Sequence, residues 1–69
     1  GLTIQQAVVA FVIDREGNVT DKNIEKSSGS QEFDMAALRA IQNSHFPPLP
    51  VGYNEPTLRV HMGFIHEPD

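Results

Sequence analysis

The chain has 69 residues, 39% of them apolar and 20% charged, with a formal net charge of −4 and no cysteine. That length permits a thin core covering roughly 60% of the unfolded surface and seldom a deep substrate pocket, and five lysines and arginines spread singly exclude a basic nucleic-acid-binding face. The missing cysteines exclude a disulfide framework and a thiolate metal site, and no run approaches the roughly 18 apolar residues of a membrane span.

Residues 1–69 read as a single domain. No signal peptide opens the chain. The start at Gly1-Leu2 lies close to the first strand signal, as in a domain excised from a longer protein.

Gly1 to Gln6 is a lead-in, with Leu2 and Ile4 on alternate positions, that can extend the first strand. Ala7-Val8-Val9-Ala10-Phe11-Val12-Ile13 is the strongest strand signal, β-branched and aromatic and apolar on both faces. Such a run reads as a central strand covered on both sides, or as one with a weakly polar second face. Asp14 to Asn18 predicts a tight turn, with Gly17 in the left-handed conformation forming a bulge. Val19 to Ser28 predicts a returning second strand, largely polar. Val19 and Ile24 have opposite parity there, so either a bulge intervenes or Val19 belongs to the turn.

The spacing of Phe33, Ala37, Ala40, Ile41 and Ser44, with Leu38 beside them, predicts a helix of about 12 residues with one apolar stripe. Ser28 or Ser30 can cap it, and Ser28 with Gln31 fits the capping-box spacing. Glu32 and Asp34 suit the positive end of the helix dipole, and Asp34 can bond the Ser28–Ser30 backbone. Pro47-Pro48 forbids helix beyond about His45. Phe46-Pro47-Pro48-Leu49-Pro50 is a rigid extended connector, followed by a loop from Val51 to Pro56. Thr57 to His66 then gives the cleanest period-two alternation of the chain. Leu58, Val60, Met62 and Phe64 make one face and Thr57, Arg59, His61, Gly63 and Ile65 the other.

The expected fold is therefore small α+β, ββαβ, a three-stranded antiparallel sheet with one helix on one face. The third strand returns beside the first, which puts the first in the middle.

In this order, these residues resemble the carboxy-terminal periplasmic domain of the TonB/TolA energy-transducer family. Phe11-Val12-Ile13-Asp14-Arg15-Glu16-Gly17-Asn18-Val19 is similar to the family's first strand and glycine turn. Lys26-Ser27-Ser28-Gly29 is similar to its end of strand two. Phe33-Asp34 with Ala37-Leu38 and Ala40-Ile41 resembles its helix, and Phe46 to Pro50 with Leu58 to Phe64 its connector and last strand. The Tyr-Pro element and preceding helix of many TonB domains have no counterpart in this sequence.

The resemblance implies a domain carried in the periplasm at the end of an inner-membrane-anchored protein and energised through other segments by a proton-driven motor complex. It implies partners at the outer membrane. For a TonB-like member the partner is the TonB-box peptide of a TonB-dependent transporter. For a TolA-like member it is a Tol-Pal component, with colicins and filamentous phage as hijackers.

The physical reading agrees with such a role. With the first strand central, the other two are edges. The third has regular alternation, no internal proline and few charges, so it is a template for strand addition. The expected partner-binding residues are Thr57, Leu58, Arg59, Val60, His61, Met62, Gly63, Phe64 and Ile65, with Arg59, His61, Gly63 and Ile65 felt by an added strand on one face. A self-pairing structural module, a weak homodimer through edge strands, is the rival from a different class.

Sharper chemistry finds little support. His61 and His66 lie five apart on a strand and point to opposite faces, so no metal is expected. Asp14, Glu16 and Asp21 lack calcium-loop spacing. Ser27-Ser28-Gly29-Ser30 lacks a nucleophile elbow, and Pro47-x-x-Pro50 reads as packing of Phe46 and Leu49 on the sheet. No cofactor and no catalysis are expected.

Overall fold

The chain folds in the order β1 (Gln5–Asp14), β2 (Val19–Lys26), α1 (Gln31–Gln42) and β3 (Thr57–His66). The computed structural model describes residues 4–67. The sheet has the order β2-β1-β3 with both pairings antiparallel, so the most apolar strand is central, as expected. Gln5 and Gln6 of the expected lead-in join β1, Ile4 precedes it, and Gly1, Leu2 and Thr3 lie outside the described residues.

Alternation along β1 sends Ala7, Val9, Phe11 and Ile13 to one face, where all are buried. Helix α1 lies across β1 and β2 on that face, contributing Ala37 and Ile41 to the core, and the connector adds Leu49. Phe33 and Leu38 are half-buried beside them, and the Phe33 ring meets His66 with centroids 6.2 Å apart. Ala40 and Ser44, expected on the apolar stripe, are exposed. The covered arc of the helix is narrower than its apolar arc, because α1 sits over two strands rather than three.

The parity conflict in β2 is resolved by bulges. Ile24 opposes Val9 and Val19 opposes Ile13, with a register shift between Val12 and Ile13 and a second between Val8 and Val9. Thr20 and Glu25 are the residues left over, and the slip at Thr20 brings both Val19 and Ile24 to the core face. The strand ends at Lys26, two residues before the expected Ser28, because the serines have another partner. Asp34 accepts hydrogen bonds from the Ser27 hydroxyl, the Ser28 N–H at 2.9 Å and the Ser28 hydroxyl at 2.8 Å. Ser30 is the N-cap, accepting from the Phe33 N–H at 3.2 Å. The Ser28–Gln31 capping box does not form, since the Ser28 hydroxyl is already engaged with Asp34 and Ser30.

The β1–β2 turn is fastened twice. Asp14 accepts from the Glu16 N–H at 3.0 Å and the Asn18 N–H at 2.9 Å, and the Gly17 N–H donates to the Asp14 carbonyl at 3.0 Å. Gly17 has a φ of 90°, and the proline connector runs directly against it: a Cβ there would stand 2.1 Å from the Phe46 carbonyl oxygen. Phe46 lays its ring on Phe11 at 5.3 Å, and Leu49 is buried, which is the packing role expected for this connector.

These contacts make two predictions. Gly29 also has a positive φ, 91°, but open space around it. Gly29→Ala should therefore cost only the left-handed penalty, ~1 kcal/mol, whereas Gly17→Ala adds a clash with backbone and should cost ~2–4 kcal/mol in urea unfolding. Equal costs would show that the connector yields freely.

The second prediction concerns acid. Hydrogen bonds from Ser27, then Ser28, hold the Asp34 carboxyl below its ordinary 3.8, and the Asn18 backbone N–H does the same for Asp14. A depressed carboxyl stabilises the fold above the unfolded value and loses that contribution as pH falls through the folded value. Unfolding midpoints should therefore drop below about pH 4, and the drop should be shallower in Asp34→Asn. An unchanged acid slope in that variant would remove Asp34 from the account.

Candidate partner-docking edge

Of the two edge strands, only β3 is unbroken. It pairs with β1 through ten consecutive residues, from Gln5 opposite His66 to Asp14 opposite Thr57, without a register shift. Its outer backbone edge faces no other strand among the described residues. The opposite edge, β2, is bent by its two bulges and carries Asp21, Lys22, Glu25 and Lys26, features that disfavour pairing with a further strand.

All nine residues singled out in the sequence, Thr57 to Ile65, lie in β3 and alternate as expected. Leu58, Val60, Met62 and Phe64 are half-buried against the core, and Thr57, Arg59, His61, Gly63 and Ile65 are exposed on the open face of the sheet. The inner residues stay half-covered because α1 lies over β1 and β2.

Two neighbours of this edge carry no pattern in the sequence. Arg15, in the hairpin turn, reaches the loop that leads into β3. Its guanidinium donates to the carbonyls of Tyr53, of Glu55 at 2.9 Å and of Pro50 at 3.1 Å, while the Leu49 N–H donates to the Arg15 carbonyl at 3.0 Å. The Tyr53 hydroxyl donates to the Thr57 carbonyl at 2.9 Å, at the first residue of β3. Glu25 crosses the open face from β2 to β3, its Oε1 lying 2.5 Å from His61 Nδ1. Ala10 lies beneath, opposite His61 on one side and Asn23 on the other, and is only 1% exposed. A larger residue at that position would stand between the two side chains. The only hint in the sequence is that Glu25 and His61 can share a face once β1 is known to be central.

Chemistry of other kinds is sparse among the described residues. No group of three or more potential metal ligands converges, and no buried side-chain polar atom lacks a partner. A shallow groove lined by Gln31, Glu32, Met35 and Arg39 runs along the exposed side of α1.

A family described as TonB C terminal matches residues 3–64. The chain belongs to the TonB C-terminal family. Domains of this family are periplasmic, non-catalytic interaction parts of membrane-anchored energy transducers. No curated protein and no solved structure matches the chain. No helix among the described residues of the TonB-like domain is long and apolar enough to cross a membrane.

Removing the Arg15 guanidinium tests how the start of β3 is held. Arg15→Met should cost ~1–2 kcal/mol, the scale for charge-assisted bonds to partly exposed carbonyls. It should also raise amide exchange at Thr57 and Leu58 more than at Met62 to Ile65. Uniform exchange along β3 would show that the guanidinium does not set where the strand begins.

Proposed function

We propose that this TonB C-terminal domain, residues 1–69 acting as one unit, docks on an outer-membrane partner by accepting an extended peptide along β3. The peptide of this reading is the TonB box of a TonB-dependent transporter, and the force of an inner-membrane proton-driven motor reaches it through segments outside this chain. One observation carries the reading: β3 is a ten-residue edge with unbroken register and regular alternation, whereas the other edge is bulged twice. Backbone groups along such an edge supply affinity for any extended chain, and alternate side chains supply selectivity.

The test is a backbone-amide titration of the labelled domain with a TonB-box peptide and, separately, with a Tol-Pal component of the same source. Shifts along Thr57–Ile65 with the peptide support transporter docking. Shifts there only with the Tol component move the role to envelope integrity. Shifts confined to Val19–Lys26, or none together with a dimeric mass by ultracentrifugation, overturn docking at β3. Ile65→Lys provides a second arm. Ile65 is 62% exposed, so the substitution should change stability by no more than ~0.5 kcal/mol. A lysine on an edge nonetheless disfavours strand addition, and peptide affinity should fall several-fold.

A further inference from the structure

Gly63 sits in the interior of an exposed strand, a position where glycine weakens a sheet by losing more backbone entropy and offering no side chain. Nothing among the described residues calls for it. Its φ is not positive, and a Cβ built there meets no atom within 4 Å. The missing side chain leaves a gap on the open face. Its neighbour on β1 is Val8, directly opposite and half-buried. One side is bounded by Ile65. The other is bounded by His61, whose ring is drawn toward β2 by Glu25 and away from the free edge. Two residues farther along the same face stands Arg59, exposed, with no ion pair or side-chain hydrogen bond among the described residues.

We propose that the gap over Gly63 receives one aromatic or large aliphatic side chain of the docked strand, and that Arg59 receives a carboxylate four residues away on that strand. The inference rests on docking at β3 and deepens it by naming the chemistry of the incoming strand. A strand added beside β3 presents alternate residues on the open face. The residue opposite Gly63 finds no side chain there, so a large ring or branched chain lies flat across the glycine and reaches Val8 and Ile65. Aromatic side chains cover strand glycines in this way, and apolar contacts of that kind between neighbouring strands favour one partner over another. The residue opposite Arg59 is then four positions removed and on the same face, and an acidic group there answers an otherwise unanswered cation.

The probes are eleven-residue peptides of alternating threonine and valine with lysine ends. The central position carries Trp, Leu or Ala, and Glu, or Gln as its control, stands four residues before or four residues after it. Binding is measured by amide shifts and titration to the wild-type domain, Gly63→Val and Arg59→Gln. In one of the two Glu placements, the Trp and Leu peptides should bind wild type about fivefold tighter than the Ala peptide, with the largest shifts at His61 to Ile65. Gly63→Val fills the gap with a residue suited to strands, so its thermal midpoint should hold or rise while the preference for Trp and Leu disappears. Arg59→Gln should remove the advantage of Glu over Gln in the same peptide. Equal binding of the three guests with shifts along β3 would overturn the receptor at Gly63 and leave strand addition standing. A Trp preference that survives in Gly63→Val would overturn it as well, and a Glu advantage that survives in Arg59→Gln would overturn the role of Arg59. Absence of shifts on β3 with every peptide would remove both the receptor and the docking reading beneath it.

Discussion

The close approach of the proline connector to the hairpin turn is the constraint on which the rest depends. Gly17 leaves room for the Phe46 carbonyl where any other residue would collide with it, and Arg15 then holds three carbonyls of the loop that follows. The connector would otherwise be a long excursion between α1 and β3. Fastened at the turn, it delivers Thr57 opposite Asp14, the last residue of β1. Every later pair of the β1–β3 ladder inherits its register from that delivery. A slip by one residue would move Leu58, Val60, Met62 and Phe64 off the core and put Arg59 and His61 into it. Turn chemistry at residues 14–18 thus determines which side chains the free edge displays.

The two edges follow from how each strand meets the same central partner. β1 offers a buried face of Ala7, Val9, Phe11 and Ile13 that both neighbours must match. β3 matches it with strict alternation and stays straight. β2 has only Val19 and Ile24 to offer, at spacings that strict alternation cannot satisfy, so it bulges to bring both to the core. Those bulges spoil β2 as a template and place Glu25 where it can cross to His61. One strand's poor pattern therefore protects one edge and braces the side chains of the other.

Much of this was legible in the residues. Period-two alternation located β3 to the residue, the apolar run located β1, and the 3.6-residue period with Pro47-Pro48 bounded the helix. The central place of β1 followed from its two apolar faces. The bond of Asp34 to the Ser28 backbone was legible, but not that it would end β2 at Lys26 by drawing the Ser28 N–H away from the ladder. Nor was the reach of Arg15, since one arginine in a turn has no periodicity and its partners are backbone carbonyls some 35 to 40 residues away. The edge itself could be read as a strand with a free side. Its bracing by Glu25 could not, because it passes over a third strand.

In the register centred on His61, a copy of β3 is a poor occupant for this edge. Antiparallel pairing of two copies about a two-fold axis through His61, with both helices on one side, would oppose Arg59 to Gly63 and His61 to His61. There the Arg59 guanidinium would lie over the gap at Gly63, beside Val8 and Ile65, with no carboxylate opposite. The two imidazoles would meet while each is already committed to its own Glu25. Ile65 would face Thr57, the one fair contact of the open face. An unrelated strand suffers none of these constraints: it can set a large residue over Gly63 and an acid beside Arg59 in the same register. Free edges invite self-association in proportion to their regularity, and β3 is regular. In the proposed docking, its open-face side chains are what would turn that regularity toward a partner with a different sequence.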